Sequence, residues 1–368
     1  IDIANSVALL MNGGSPSEIN GQFLFVVFDK QKETLRIIND RFTSYPVYFA
    51  EVGDTFVMST SYSELARQLK DKGCLRINPG HCFEYILLQR LIGTKTLDQL
   101  SEFLAPAMQL VVSSDQLTKN CYWTPSFTKQ KQSSSKAGKE LAELFKASLR
   151  RVTSDHQRFG LMLSAGHDSR TIAMAADKPM QCFTIAYSEN LEVRLAREIA
   201  NQLGHEHQFI QLDEDHLVKT AHDAARLCGG MYTIDNALFF GIEKEVAPKV
   251  DVLLHGHGID YMFQGMYVPA NTIELFGRPT FFKSKKHLTG NLTDYFLENI
   301  GYRLKHLNLW EYLLPGYVDS TYDEIKQSVT NAFESAPANC VLPEDKWEFM
   351  IINGLSRHYS WPNIGSKM

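Results

Sequence analysis

Two hydrophobic rhythms divide the chain. Gln22-Phe23-Leu24-Phe25-Val26-Val27-Phe28-Asp29 is a nearly unbroken apolar and aromatic run, the pattern of a strand covered on both faces. The polar turn Lys30–Glu33 separates it from Thr34-Leu35-Arg36-Ile37-Ile38, so the pair predicts a hairpin. Val47–Ala50 and Thr55–Ser59 repeat that spacing, and a short helix is predicted from Tyr62 to Lys70. Pro79-Gly80 reads as a turn ahead of another apolar strand, and Leu110-Val111-Val112 as a further strand. From Trp123 to Lys136 the chain turns polar and Ser-rich, with nothing to bury, which predicts a linker.

After the linker the period changes. Leu141, Leu144, Phe145, Leu149 and Val152 fall at helical spacing, and Phe159–Leu163 is a short buried strand. A helix at 170–176, a strand at 180–186, a helix at 191–203, a strand at 208–212, a helix at 217–228 and a strand at 250–254 follow. Strand and helix alternating at this interval predict an α/β fold with an open, doubly wound parallel sheet. The expected organisation is therefore a layered antiparallel β-rich fragment over 1–127 and an α/β domain over 136–368. The last hundred residues read as helical and irregular, with aromatic-rich stretches that no motif explains.

Composition narrows the field. An apolar fraction of 44% and a charged fraction of 21% are those of an ordinary globular protein. A net charge of −5 gives no reason to expect nucleic acid or an acidic membrane surface as partner. No apolar run reaches the roughly 18 residues of a membrane span, and Ile1–Asn5 lacks the order of a signal peptide. The six cysteines are scattered without a C-x-x-C pair, which predicts reduced thiols and a cytoplasmic location.

Ligands of open α/β sheets bind beyond the carboxyl ends of strands, and two loops stand at such ends. One is Ser164-Ala165-Gly166-His167-Asp168-Ser169, where Gly166 allows close backbone approach, two hydroxyls are available, and the next helix opens with N–H groups suited to an anion. It lacks the G-K-[ST] ending of a Walker A loop. The other is His255-Gly256-His257-Gly258-Ile259-Asp260. Asp168 and Asp260 would face one crevice, a pair suited to a Mg-nucleotide. Singly, each loop is as well read as a plain turn, with Asp168 capping the helix that follows. Together, at two strand ends of an alternating pattern, they point to a nucleotide site.

These residues resemble a known family. Leu163 to Ser169 is similar to the S-G-G-x-D-S pyrophosphate loop of N-type ATP pyrophosphatases. The surrounding order resembles the asparagine synthetase family: Phe183-Thr184-Ile185, then Glu192, Ala196, Ile199 and Ala200, then Leu203-Gly204-His205-Glu206-His207, then Gly256–Asp260 with Phe263-Gln264-Gly265. Gly21–Asp29, Asp40–Thr43 and Pro46–Phe49 resemble the tail of that family's class II, Ntn-type glutaminase domain. The resemblance implies a carbon–nitrogen ligase that adenylates a small-molecule carboxylate with ATP and Mg²⁺ and lets an amine attack. The amine would be glutamine-derived ammonia or a substrate amine, and a homodimer is left open. It further implies Ser164, Gly166, Asp168 and Ser169 around the pyrophosphate, Leu163 and Ile185 at the adenosine, Gly256 near the nucleotide, and Asp168 with Asp260 on the metal.

Departures from the pattern are informative. Ala165 stands for the second residue of S-G-G-x-D-S, and Arg170 for a small residue, there either to contact phosphate or to point into solvent. The glutaminase of the family uses an N-terminal cysteine, whereas the first here is Cys74, so these residues alone are not expected to hydrolyse glutamine. His257 stands where asparagine synthetases carry Glu and β-lactam synthetases carry Tyr, part of the base for the attacking amine. His257 is thus a candidate general base, or else a residue that merely packs its loop. Other histidines, His205 and His207 among them, read as structural. An intramolecular cyclase of β-lactam synthetase or lasso-peptide type, and a non-catalytic paralogue retaining the fold, remain open beside the amidotransferase.

Overall fold

The computed structural model describes residues 3–127, 131–154, 158–231, 238–259, 269–285, 288, 290–301, 308–312 and 315–355. Its contacts divide into two compact units. The first comprises Ile1–Phe127, Ala225–Thr233 and Tyr267–Lys367, and the second Thr128–Ala224 and Ile234–Met266. No helix among the described residues is long and apolar enough to cross a membrane.

The first unit opens with helix α1 (Ile3–Met11) and strands β1 (Leu24–Asp29) and β2 (Thr34–Asn39). These two pair antiparallel from Leu24 opposite Asn39 to Asp29 opposite Thr34, the predicted hairpin. Strands β3 (Tyr48–Val52), β4 (Thr55–Ser59), β5 (Glu102–Phe103), β6 (Met108–Val112) and β7 (Leu117–Cys121) complete two antiparallel sheets, ordered β1-β2-β6-β7 and β4-β3-β5. β1 is an edge strand with Val26 and Phe28 exposed, so among the described residues it is not covered on both faces as its composition predicts. Helix α2 (Tyr62–Asp71) buries Tyr62, Leu65 and Leu69 at i, i+3 and i+7 against Tyr48, Ala50 and Phe103.

Helix α3 (Pro79–Leu88) occupies the stretch read from sequence as a turn and strand. The Asn78 side chain accepts hydrogen bonds from the amides of Gly80 and His81, and Pro79 sits at the first helical position, where its missing N–H costs nothing. Pro-Gly marks a helix start here.

The second unit carries the α/β pattern. Helix α4 (Ser134–Thr153) starts inside the predicted linker, because the Ser133 hydroxyl accepts from the amide of Lys136 and caps it. Strand β8 (Phe159–Met162), helix α5 (His167–Ala175), strand β9 (Gln181–Ala186), helix α6 (Leu191–Gln202) and strand β10 (Glu206–Gln211) follow. After helices α7 (His216–Cys228) and α8 (Glu243–Val246), strand β11 (Val252–His255) returns to pair with β8. All pairings are parallel and the order is β10-β9-β8-β11, so successive strands step one way from β8 and then reverse. Alternation along the strands sends Leu161 and Cys182 into one apolar cluster with α5 and α6, and Met162 and Phe183 into another with Ile242 and Val246. Gly160 is required by packing, since a Cβ there would stand 2.9 Å from Val250 Cγ1 and 3.0 Å from Leu253 Cδ1.

The C-terminal part of the first unit holds an unforeseen antiparallel hairpin, β12 (Ala270–Leu275) with β13 (Arg278–Lys285). Helices at Leu292–Phe296, Pro315–Glu334 and Pro343–Phe349 then bring together some of the aromatic residues that the sequence left unexplained. Trp347 is buried against Phe296 and Phe333, with ring centroids 6.0 and 5.7 Å away.

Candidate active site

The strand order reverses between β8 and β11, and the chain leaves both strands there into the two loops singled out from sequence. A crevice opens at such a reversal because neighbouring strands send their connections in opposite directions. The loops touch. A Cβ added at Gly256 would lie 2.5 Å from Ser169 N, 2.8 Å from Asp168 C and 2.9 Å from Asp168 Cβ. Backbone meets backbone at that point, and only glycine fits.

The loop after β8 is braced from within. Ser169 is buried, and its hydroxyl accepts from the Ser164 amide at 3.0 Å and lies 3.0 Å from Ser164 Oγ. Ser164 Oγ in turn accepts from the Gly166 amide at 3.1 Å. Gly166 is the residue preceding α5, with extended dihedrals and no side-chain cap. Asp168 is therefore not the cap that a plain turn would make of it, but the second residue of the helix, half-buried and facing Gly256. The amides at the start of a helix and the dipole behind them attract negative charge.

Arg170 Nη2 donates to His167 Nδ1 at 2.6 Å, one helical turn back. Leu163 and Ile185 lie on opposite faces of the sheet. Leu163 is buried in the cluster of α5 and α6, while Ile185 packs beside Phe183 in the other.

In the loop after β11, His257 is exposed and its amide donates to His255 Nδ1 at 3.3 Å. The two rings stand 6.3 Å apart. Burial, and secondarily the neighbouring His257, pushes the His255 pKa down to about 4, so this imidazole is neutral at physiological pH. Asp260, predicted as the second metal ligand, lies outside the described residues. Among the described residues no three His, Cys, Asp or Glu side chains converge on a point. Asp168 by itself fits a hard cation shared with phosphate oxygens, since Mg²⁺ is usually held by one or two carboxylates plus its nucleotide.

His205 is a satisfied core histidine: Nδ1 accepts from the Met180 amide at 3.3 Å and Nε2 donates to the Ala173 carbonyl at 2.9 Å. Sequence reasoning passed over Thr184. It is the one hydroxyl in the apolar run Cys182-Phe183-Thr184-Ile185, and it is 4% exposed. A lone polar side chain inside a buried strand is the signal that would have drawn attention to it.

Comparison with known proteins bears on both halves of the chain. The family model for asparagine synthase matches residues 140–329, and that for a glutamine amidotransferase domain matches residues 8–123. A Bacillus subtilis protein named asparagine synthetase [glutamine-hydrolyzing] 1 is 22% identical over 272 residues, which are 70% of this chain and 42% of the relative. A Penicillium rubens protein named amidase chyE is 23% identical over 235 residues, 56% of this chain and 34% of the relative. The chain thus spans less than half the length of either relative.

Proposed function

Because the chain belongs to the asparagine synthase family, we propose that it forms part of an ATP-dependent, AMP-forming amidotransferase whose nucleotide site lies between the β8 and β11 loops. The observation that carries this reading is the backbone contact of Gly256 with Asp168 and Ser169 at the reversal of a parallel sheet. That reversal, with apolar clusters on both faces, also supports the doubly wound reading of the sheet. The sequence division at about 127 and 136 remains our proposal for the domain boundary, and it agrees with the gap between the two family matches.

In this reading the substrate carboxylate attacks the α-phosphorus of ATP, an acyl-adenylate forms and pyrophosphate leaves. An amine then attacks the acyl carbon, AMP departs and the amine gives up a proton. Pyrophosphate is a highly charged leaving group, so donors aimed at it supply much of the rate. The opening amides of α5, Ser164 and Gly166 would receive it, and Asp168 would hold Mg²⁺, whose chemistry is to neutralise phosphate charge. Ser169 supports this loop from beneath, its hydroxyl engaged by Ser164. The resemblance assigns Leu163 and Ile185 to the adenosine and Asp260 to the metal. His257, exposed beside this loop, would take the amine's proton. The match to a glutamine amidotransferase domain favours ammonia as nucleophile over an intramolecular amine.

The test is to incubate the full-length protein with ATP, Mg²⁺, glutamine and a panel of carboxylates, reading AMP, pyrophosphate and product by mass spectrometry. Carboxylate-dependent AMP release is the expected result. Nucleotide binding with no turnover on any carboxylate would favour the non-catalytic paralogue, and product without added amine would favour the cyclase.

A further inference from the structure

The end of β8 is held by a chain of side chains that crosses the sheet. Thr184 Oγ1 lies 2.7 Å from the Leu163 carbonyl and 2.8 Å from His207 Nε2. The hydroxyl carries one hydrogen and a carbonyl can only accept, so Thr184 donates to Leu163. His207 Nε2–H then donates to Thr184 Oγ1, and Nδ1 is the bare nitrogen. Two observations agree with that assignment. His207 Nδ1 is buried without a hydrogen-bond partner among the described residues, which a lone pair tolerates better than an N–H would. Burial also pushes the His207 pKa down, keeping the ring neutral.

The Leu163 carbonyl and the Ser164 amide belong to one planar peptide unit. Thr184 grips its oxygen from β9, and Ser169 Oγ grips its N–H from α5 at 3.0 Å. A plane fixed at both ends cannot rotate without breaking one of these two bonds. It is the last peptide before the glycine-containing loop, so its orientation decides where Ser164, Gly166 and the amides of α5 point.

We infer that Thr184, oriented by His207, is a positioning residue that sets the loop 164–169 for the pyrophosphate of ATP. The inference rests on the nucleotide reading above, and its first test separates the two. Thr184→Val keeps the shape and deletes the hydroxyl, Thr184→Ser restores it, and His207→Leu removes only the outer donor. ATP affinity with Mg²⁺ is measured by calorimetry on the folded fraction, and amide exchange of residues 164–169 is followed by mass spectrometry without nucleotide.

Loss of one buried hydrogen bond predicts on the order of tenfold weaker ATP binding in Thr184→Val, with faster exchange confined to the loop. Thr184→Ser should bind within about twofold of wild type, and His207→Leu should fall between them. A purely structural role lowers the melting temperature of Thr184→Val while leaving affinity and loop exchange unchanged, and that result overturns the inference. Thr184→Ser binding as weakly as Thr184→Val overturns it as well, because the methyl group would then be responsible. Should Thr184→Val fail to fold, unchanged affinity and exchange in His207→Leu overturn the outer link. If the wild type binds no ATP, the nucleotide reading fails, and loop exchange alone decides whether Thr184 positions the loop.

Discussion

Helices α5 and α6 follow neighbouring strands of the same sheet, yet they begin differently. Asn190 caps α6, its side chain accepting from the Val193 amide at 3.1 Å. Gly166 precedes α5 and offers no side chain at all. At the start of α5, Gly256 is pressed against Ser169 N. One start is finished by its own sequence, and the other is left open at a strand-order reversal and backed by a second loop. In the proposed reading, that difference separates a helix that only has to be stable from one that receives the nucleotide.

The largest effect should come from Asp168→Ala. Removing the carboxylate would release the Mg²⁺ it holds in this reading and leave the phosphate charge uncompensated, so pyrophosphate release should vanish while circular dichroism and melting temperature stay near wild type. Turnover at the wild-type rate would return α5 to the company of α6. Next comes His257→Gln. A positioned base contributes about a hundred- to ten-thousand-fold, so amide formation should fall by that order. Substrate-dependent exchange of ATP with pyrophosphate, which needs no such proton transfer, should persist. Equal loss in both half-reactions would show that His257 holds the loop or the nucleotide instead.

Gly256→Ala probes the contact between loops. A methyl group 2.5 Å from a backbone nitrogen forces the loops apart, at a cost of about 1–3 kcal/mol, with loss of nucleotide binding. Urea melts and nucleotide titration of this variant should move together; normal affinity at normal stability would mean that the loops are not joined there.

Acid tests a neighbour of the same loop. The His255 pKa is depressed to about 4 from an ordinary value near 6.5. A depressed folded value means that the folded state binds protons less readily than the unfolded chain. The stabilising effect of the neutral ring is therefore complete above about pH 6.5 and lost progressively as pH falls towards 4, on the order of 3 kcal/mol at most. Denaturation midpoints at a series of pH values should show that slope, and His255→Leu should flatten it. Smallest of all, Asn190→Ala should cost about 1 kcal/mol of stability and leave ATP binding unchanged. A matching loss of affinity would mean that the start of α6 belongs to the site after all.

Much of this was legible along the chain. Period-two and period-3.6 patterns depend on local geometry alone, so the β1–β2 hairpin and the β8-to-β11 alternation could be read directly. The loop residues 164–169 and 256–257 stood out for a similar reason, since glycine, hydroxyl and carboxylate types are diagnostic wherever a strand ends. Other features were misread where one dipeptide serves two structures. Pro79-Gly80 suits a turn as well as a helix start, and only the Asn78 cap decides between them. The unbroken apolar run of β1 promised two covered faces, but coverage depends on which strand lies beyond an edge.

The sequence by itself determined the family, the alternation of strands and helices, and the residues of the two loops. Only the tertiary structure decided that those loops meet at Gly256, that Leu163 and Ile185 face opposite ways, and that Thr184 reaches Leu163 while Arg170 reaches His167. The reason is physical. Residue type and period are written into each short segment, but strand order and the direction of each side chain arise when segments distant in sequence share one core. Ser169 and Thr184 show it most directly, since they meet at opposite ends of a single peptide unit that belongs to neither.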